Sequence, residues 1–134
     1  MVEDRITDGR RIAELLASEL DGRRDGELAR IAVTNADRDV EPTVAGARAY
    51  TIARDGERFA RVFVHPDRAH VELEAGQDAG LEAARERDLR VRPKATTPPR
   101  TLVFVESGAE VKRATTVVAA ASQAADSEES ARRD

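Results

Sequence analysis

The dipeptide Asp55-Gly56 constrains the fold of this chain more than any other part of the sequence. It separates two segments in which polar and apolar residues alternate, Ala47 to Arg54 and Glu57 to His65. Alternation with a period of two indicates β-strands, and Asp-Gly favours a two-residue hairpin turn because both residues tolerate positive φ. The sequence therefore predicts a hairpin in which Arg54 pairs with Glu57.

Counting outward from this turn predicts which side chains share a face of the hairpin. One face collects alanine and valine, which is typical of a sheet face covered by helices. The opposite face collects three of the four aromatic residues, both histidines and several charged residues. Its candidate partner-binding residues are Arg48, Tyr50, Ile52, Phe59, Arg61 and Phe63.

Three interpretations of this aromatic and arginine-rich face stay open. It could be a second, minor core beneath the loop at residues 35–46 or the C-terminal elements. Aromatic anchors with a charged rim are also typical of protein interfaces, including self-association. Alternatively, the rings could stack on bases of single-stranded nucleic acid while arginines contact phosphates. Glu72 and Glu74 fall on the same predicted face and would repel a phosphate backbone.

A basic strip follows later in the chain. Arg90, Arg92 and Lys94 alternate along a predicted strand, and Arg100 follows a proline-containing loop. The strip could be the polar side of a half-buried strand that pairs with acidic neighbours. It could also contact phosphates beside the aromatic face. These four residues are therefore the candidate site for nucleic acid or another anion.

The rest of the sequence completes an α+β pattern. Helical periodicity predicts helices over Thr7 to Leu20, over Gln77 to Asp88 and after Ser107, and further short apolar segments predict additional strands. We expect a two-layer sandwich, an antiparallel sheet of five to six strands with three helices mainly on one face. Residues 1–121 would form this single domain. Residues 122–134 are small, polar and charged, which predicts a disordered tail.

Several chemistries lack the residues they need. The chain has no cysteine, so it cannot form disulfides, cysteine-ligated zinc or iron–sulfur sites. It contains neither G-x-S-x-G nor a phosphate-loop motif. His65 and His70 are five residues apart, a spacing that matches no established metal motif. We therefore expect no catalytic residues, no metal and no cofactor.

Three segments resemble a family of small haloarchaeal proteins of unknown function. They are DRITDGRRIAELLASE from Asp4, VFVHPDRAHVEL from Val62 and RPKATTPPRTLVFVESGAEVKRA from Arg92. The resemblance implies a cytoplasmic protein of a high-salt cell, which fits the net charge of −4. It implies no activity, cofactor or catalytic residue.

Together these observations predict a non-enzymatic interaction domain. The first expectation is a protein partner or a homodimer formed through the aromatic and arginine-rich face. The alternative is RNA or single-stranded DNA bound by the same face and the basic strip. A small enzyme or metal-binding protein is the remaining alternative. The sequence has no run of about 18 apolar residues, so we expect a cytoplasmic protein that does not bind membranes.

Overall fold

Six antiparallel strands form one open sheet, and three helices cover one of its faces, in the computed structural model of the chain. The structure describes residues 7–22 and 26–133. The helices and strands are α1 (Gly9–Gly22), β1 (Ile31–Thr34), β2 (Ala47–Arg54), β3 (Glu57–Val64), β4 (Ala69–Leu73), α2 (Gln77–Glu86), β5 (Val91–Lys94), β6 (Arg100–Val105) and α3 (Val111–Arg133). Hydrogen-bonded strands follow the order β1-β2-β3-β4-β6-β5. This architecture confirms the predicted α+β class.

The turn between β2 and β3 is the tight turn that the sequence predicts. Asp55 and Gly56 have φ values of 52° and 85°, the positive values that this turn type requires. Arg54 pairs with Glu57, as expected. The turn prediction is therefore confirmed.

The register beyond the turn differs from the prediction, because two bulges interrupt the pairing of β2 with β3. Ala53 pairs with Arg58 and Ile52 with Ala60, so Phe59 has no partner on β2. A second irregularity between Arg48 and Tyr50 restores the original alternation. Between the two bulges, the side chains therefore point to the face of the sheet opposite to the predicted one.

Tyr50, Ile52 and Phe59 consequently lie in the core and not on an exposed face. The Tyr50 hydroxyl donates a hydrogen bond to the Ala13 carbonyl in α1, at 2.8 Å. The prediction that these three residues lie on the exposed face is therefore wrong, and their burial removes them from the surface proposed to bind a partner. Energetics explain the shift, since burying a large apolar side chain stabilises by about 1.5–3 kcal/mol. Losing one ladder hydrogen bond at a bulge costs only about 0.5–1.5 kcal/mol.

The sequence from Pro66 to Ala69 predicts a four-residue turn between β3 and β4 that pairs Phe63 with Glu72, and the observed turn is shorter. The His65 amide donates to the Arg68 carbonyl, so Pro66 and Asp67 alone form the turn. Phe63 therefore pairs with His70, two residues away from the predicted register. A shift of two leaves every side chain on its predicted face.

The core lies between the sheet and the helices. Helix α1 contributes Ile12, Leu16 and Leu20, which recur at helical spacing and are completely buried. Small residues of α3 face them and the sheet, namely Val111, Ala114, Val117, Val118 and Ala121. Alanine and valine let the helices approach closely, as the sequence predicted.

Helix α3 continues to Arg133, through the segment 122–134 that was predicted to be disordered. Ser122 and Ala125 are buried within this extension. The prediction of a tail from residue 122 is therefore wrong for the described residues, which end at 133.

Polar contacts explain why hydrophobic periodicity missed this part of α3. The buried Arg54 side chain at the end of β2 donates from Nε to Ser122 Oγ at 2.8 Å and also pairs with Asp126. The Glu128 carboxylate accepts the backbone amide of Gly76 at 3.0 Å. The extension is thus attached to the sheet and to the start of α2.

Residues 1–6, 23–25 and 134 lie outside the described part of the chain. They include the predicted start of the domain and the charged residues between Gly22 and Gly26, where the sequence predicts a turn. Of the helices described, none combines the length and the apolar character needed to cross a bilayer.

Candidate functional site

The sheet face opposite the helices, called here the outer face, carries the candidate site. Antiparallel partners share a face, so the register identifies its residues. Three rows of side chains cross it from β2 to β5: Arg48, Phe63, His70, Phe104 and Arg90; Thr51, Arg61, Glu72, Leu102 and Arg92; and Ala53, Arg58, Glu74, Arg100 and Lys94.

The predicted site residues divide between the two faces. Arg48, Arg61 and Phe63 lie on the outer face, together with all four residues of the basic strip, Arg90, Arg92, Lys94 and Arg100. The aromatic face and the basic strip therefore form one surface. Tyr50, Ile52 and Phe59 are absent from it because they belong to the core.

The outer face is positively charged although the chain is acidic overall. The chain has 26 acidic and 22 basic residues and a net charge of −4. On the outer face and its rim the balance is reversed, with eight cations, Arg48, Arg58, Arg61, Arg68, Arg90, Arg92, Lys94 and Arg100, against three carboxylates, Glu72, Glu74 and Glu106. The charge separation favours a negatively charged ligand on this face.

Arginines cover a row of three aromatic rings at the centre of the outer face. The His70 ring stacks on Phe63 with centroids 4.9 Å apart, and lies 5.6 Å from Phe104. The Arg61 guanidinium lies over Phe63 at 5.4 Å, and that of Arg68 lies over Phe104 at 4.6 Å. The apolar rings are therefore shielded by movable cationic side chains, with no helix above them among the described residues.

The acidic residues of the outer face are already neutralised. Glu72, which is buried, lies 3.2 Å from Arg61 and 3.9 Å from Arg100. Glu74 lies 3.0 Å from Arg58 and 3.3 Å from Arg61. Their charges thus hold the arginine side chains against the sheet and leave an excess of positive charge at the surface.

Two depressions on the outer face are lined by arginine and by no acidic residue. The larger, of 660 Å³, lies over β1 to β3 and has Arg48, Arg58 and Arg61 around a floor of alanine, threonine and other small residues. The smaller, of 320 Å³, lies over β5 and β6 and is lined by Arg68, Arg90, Val91, Arg92 and Phe104. Arg92 and Lys94 are both exposed. These depressions are the places where an anion would meet several guanidinium groups.

The two histidines form a buried hydrogen-bonded pair. His65 Nδ1 lies 2.9 Å from the Val44 carbonyl oxygen, and its Nε2 lies 2.8 Å from His70 Nδ1. A carbonyl only accepts, so with both rings neutral His65 donates to Val44 and His70 donates to His65. Burial lowers the pKa of His70 to about 3, and the positive charges of Arg68 and Lys94 contribute. The pair fixes the orientation of the His70 ring.

This pair does not form a metal site with its neighbours. Nδ1 of His70 is occupied by His65, and Glu72 Oε2 lies 4.0 Å from His70 Nε2. Within the described ranges, no three histidine or acidic side chains are arranged to hold a metal ion.

A family model matches residues 1–134, the whole chain. The protein belongs to a family of unknown function, DUF7993. No curated protein and no solved structure is significantly similar to the chain. For this member of DUF7993, function must therefore be argued from the outer face itself.

Sequence reasoning missed four residues of the site, Arg58, Arg68, Phe104 and Glu106, and it placed Arg58 on the alanine and valine face because it did not foresee the bulge at Phe59. Phe104 lies in a strand whose residues 101–105 are nearly all apolar, so alternation could not assign it to a face. Arg68 and Glu106 flank strand ends and meet 3.6 Å apart only after β4 pairs with β6. For Phe104, the sequence offered one signal, that it lies four positions after Arg100, an even spacing that puts both residues on one face of a strand.

Proposed function

We propose that this protein binds single-stranded nucleic acid across its outer face. The observation that carries the proposal is the reversal of charge on that face, eight cations against three neutralised carboxylates in a chain of net charge −4. A sheet with helices on one side and aromatic and basic residues on the other is a common platform for unpaired bases and phosphates.

The corrected position of three side chains weakens the protein-partner alternative. That hypothesis depended on Tyr50, Ile52, Phe59 and Phe63 as apolar anchors, and only Phe63 lies on the outer face. The main objection to nucleic acid was repulsion by Glu72 and Glu74. Both carboxylates are paired with arginines, so the objection loses most of its force.

The sheet edges favour a ligand that lies across the face. In β5, the backbone nitrogen of Pro93 carries no hydrogen and faces the free edge of the sheet. It faces outward because Arg90 and every second residue after it direct their backbone hydrogen-bonding groups towards β6. On β1 the Val33 amide already donates to the Asp21 carboxylate at 3.0 Å. Addition of a partner strand at either edge is therefore disfavoured.

Fluorescence anisotropy with labelled oligo(U) and oligo(dT) tests the proposal. We expect wild-type binding that weakens steeply between about 50 and 200 mM salt. The double variant Arg92→Glu/Lys94→Glu should bind at least tenfold more weakly. Each phosphate contact that it loses should reduce the slope of log affinity against log salt by about 0.7.

A control with the same change in net charge makes the test specific to the face. Arg85 on α2 and Lys112 on α3 are exposed on the helical side. Arg85→Glu/Lys112→Glu should therefore retain most of the affinity. Equal losses in both double variants would contradict the proposal, and so would wild-type protein that binds neither oligomer. Competition by polyglutamate as effective as that by unlabelled oligo(U) would instead indicate an acidic protein partner.

A further inference from the structure

We propose that the depression over β5 and β6 is a nucleobase subsite and that the depression over β1 to β3 takes phosphate alone. This inference rests on the proposed function, and it assigns different chemistry to the two ends of the outer face. A bound strand would stack one base at the β5 end and place its backbone near β2.

The first support is a preformed stack beneath the smaller depression. The Arg68 guanidinium lies 4.6 Å above the Phe104 ring, and both residues line the 320 Å³ depression. Unpaired bases stack on aromatic rings and on guanidinium planes. A base can therefore stack on Arg68 without displacing it from Phe104.

Glu106 is the positioning residue of this stack. Its Oε2 lies 3.6 Å from Arg68 and 3.4 Å from Arg90. The carboxylate thus holds Arg68 over Phe104 and keeps Arg90 at the border of the depression. It does not line the depression, so it leaves room for the negative charge of a nucleotide.

The larger depression is lined by no aromatic side chain. Its floor is made of small side chains, Ala32, Thr34, Thr51 and Ala53, with three arginines around them. Phe63 is beneath Arg61 and does not line this depression. Guanidinium groups around a floor of small residues suit a phosphate, because they supply charge and hydrogen-bond donors, and no aromatic ring lines this depression as Phe104 lines the smaller one.

Paired probes separate the subsite from the proposed function. The probes are labelled oligo(U) and an abasic oligomer of equal length, which has the same sugar–phosphate charge and no bases. We expect wild-type protein to prefer oligo(U) roughly tenfold or more, the contribution of a stacked base. Arg68→Lys keeps the charge and removes the guanidinium plane but leaves Phe104, so this preference should fall several-fold, whereas the affinity for the abasic oligomer should change no more than it does in Arg58→Lys.

Two further variants complete the experiment. Glu106→Gln should reduce the base preference partly, because it loosens Arg68 without removing it. Arg58→Lys, in the larger depression, should leave the ratio of the two affinities unchanged. A base preference that is undiminished in Arg68→Lys would overturn the subsite while the proposed function stands. Wild-type protein that binds neither probe would overturn both.

Discussion

The two faces of the sheet bury their side chains by different means. The face towards the helices is sealed by α1, α2 and α3 and contains alanine, valine and the large side chains of Tyr50, Ile52 and Phe59. The outer face is covered by its own arginines, which lie over aromatic rings and pair with Glu72 and Glu74. Helices cannot leave the first face without unfolding the protein, whereas the second face presents its arginine side chains at the surface, where a ligand can contact them.

The bulges at Phe59 and Ala49 create this difference. Between them, β2 and β3 present their largest apolar residues to the helices, and Thr51, Ala53 and Arg61 to the outer face. A regular hairpin would place the aromatic residues outside. The comparison of the two faces leads to four predictions.

The largest loss of stability should come from deleting the part of α3 that covers Arg54. A chain that ends after Ala121 lacks Ser122 and Asp126, so the buried Arg54 guanidinium loses contacts that neutralise it. Because removing the partners of a buried charge costs about 3–5 kcal/mol, and apolar burial is lost too, we expect a loss of about 5 kcal/mol. Urea denaturation measures it. Unchanged stability would mean that the segment after residue 121 is a dispensable tail.

Two phenylalanines four residues apart on β3 compare the faces directly. Phe59→Ala removes a core side chain and should lower the free energy of unfolding by about 3–5 kcal/mol. Phe63→Ala removes a partly exposed ring and should cost about 1–2 kcal/mol. Thermal and urea unfolding check both. Equal costs would contradict the assignment of these residues to opposite faces.

Acid should weaken the protein through His70. The unfolded imidazole titrates near pH 6.5, whereas burial holds the folded pKa at about 3. Between these values the unfolded chain binds a proton that the folded protein does not, so the free energy of unfolding falls as pH falls, by about 1.4 kcal/mol per pH unit. His70→Gln should remove this component between pH 7 and pH 5. An identical pH dependence in that variant would show that His70 does not carry it.

The smallest change in stability should come from substitutions in the exposed basic strip. The exposed side chains of Arg92 and Lys94 form no hydrogen bond or ion pair with the described residues, so Arg92→Glu/Lys94→Glu should change the free energy of unfolding by no more than about 0.5 kcal/mol. Differential scanning calorimetry checks this. A large loss of stability would mean that the strip has a structural role.

Local chemistry made part of the fold predictable. Asp55-Gly56 specifies its turn through backbone conformation alone, and the alternation of Arg90, Arg92 and Lys94 correctly placed them on one side of a strand. The number of helices and the range of strand number followed from periodicity in the same way.

The features that sequence could not supply depend on distant contacts. The bulge at Phe59 depends on which face the helices cover, since the same residues alternate regularly in the sequence. The end of α3 depends on Arg54, 68 residues before Ser122 in the chain. Arg68 joins the site only because β4 and β6 pair, although 26 residues, 74–99, lie between the two strands in the sequence.

Amide chemical-shift mapping during titration with unlabelled oligo(U) tests the central claim most directly. If nucleic acid binds across the outer face, the shifts should concentrate on β3 to β6 and around Arg48 and Arg58, with little change in α1, α2 and α3. Shifts confined to the helices, or an unchanged spectrum at low salt, would contradict it.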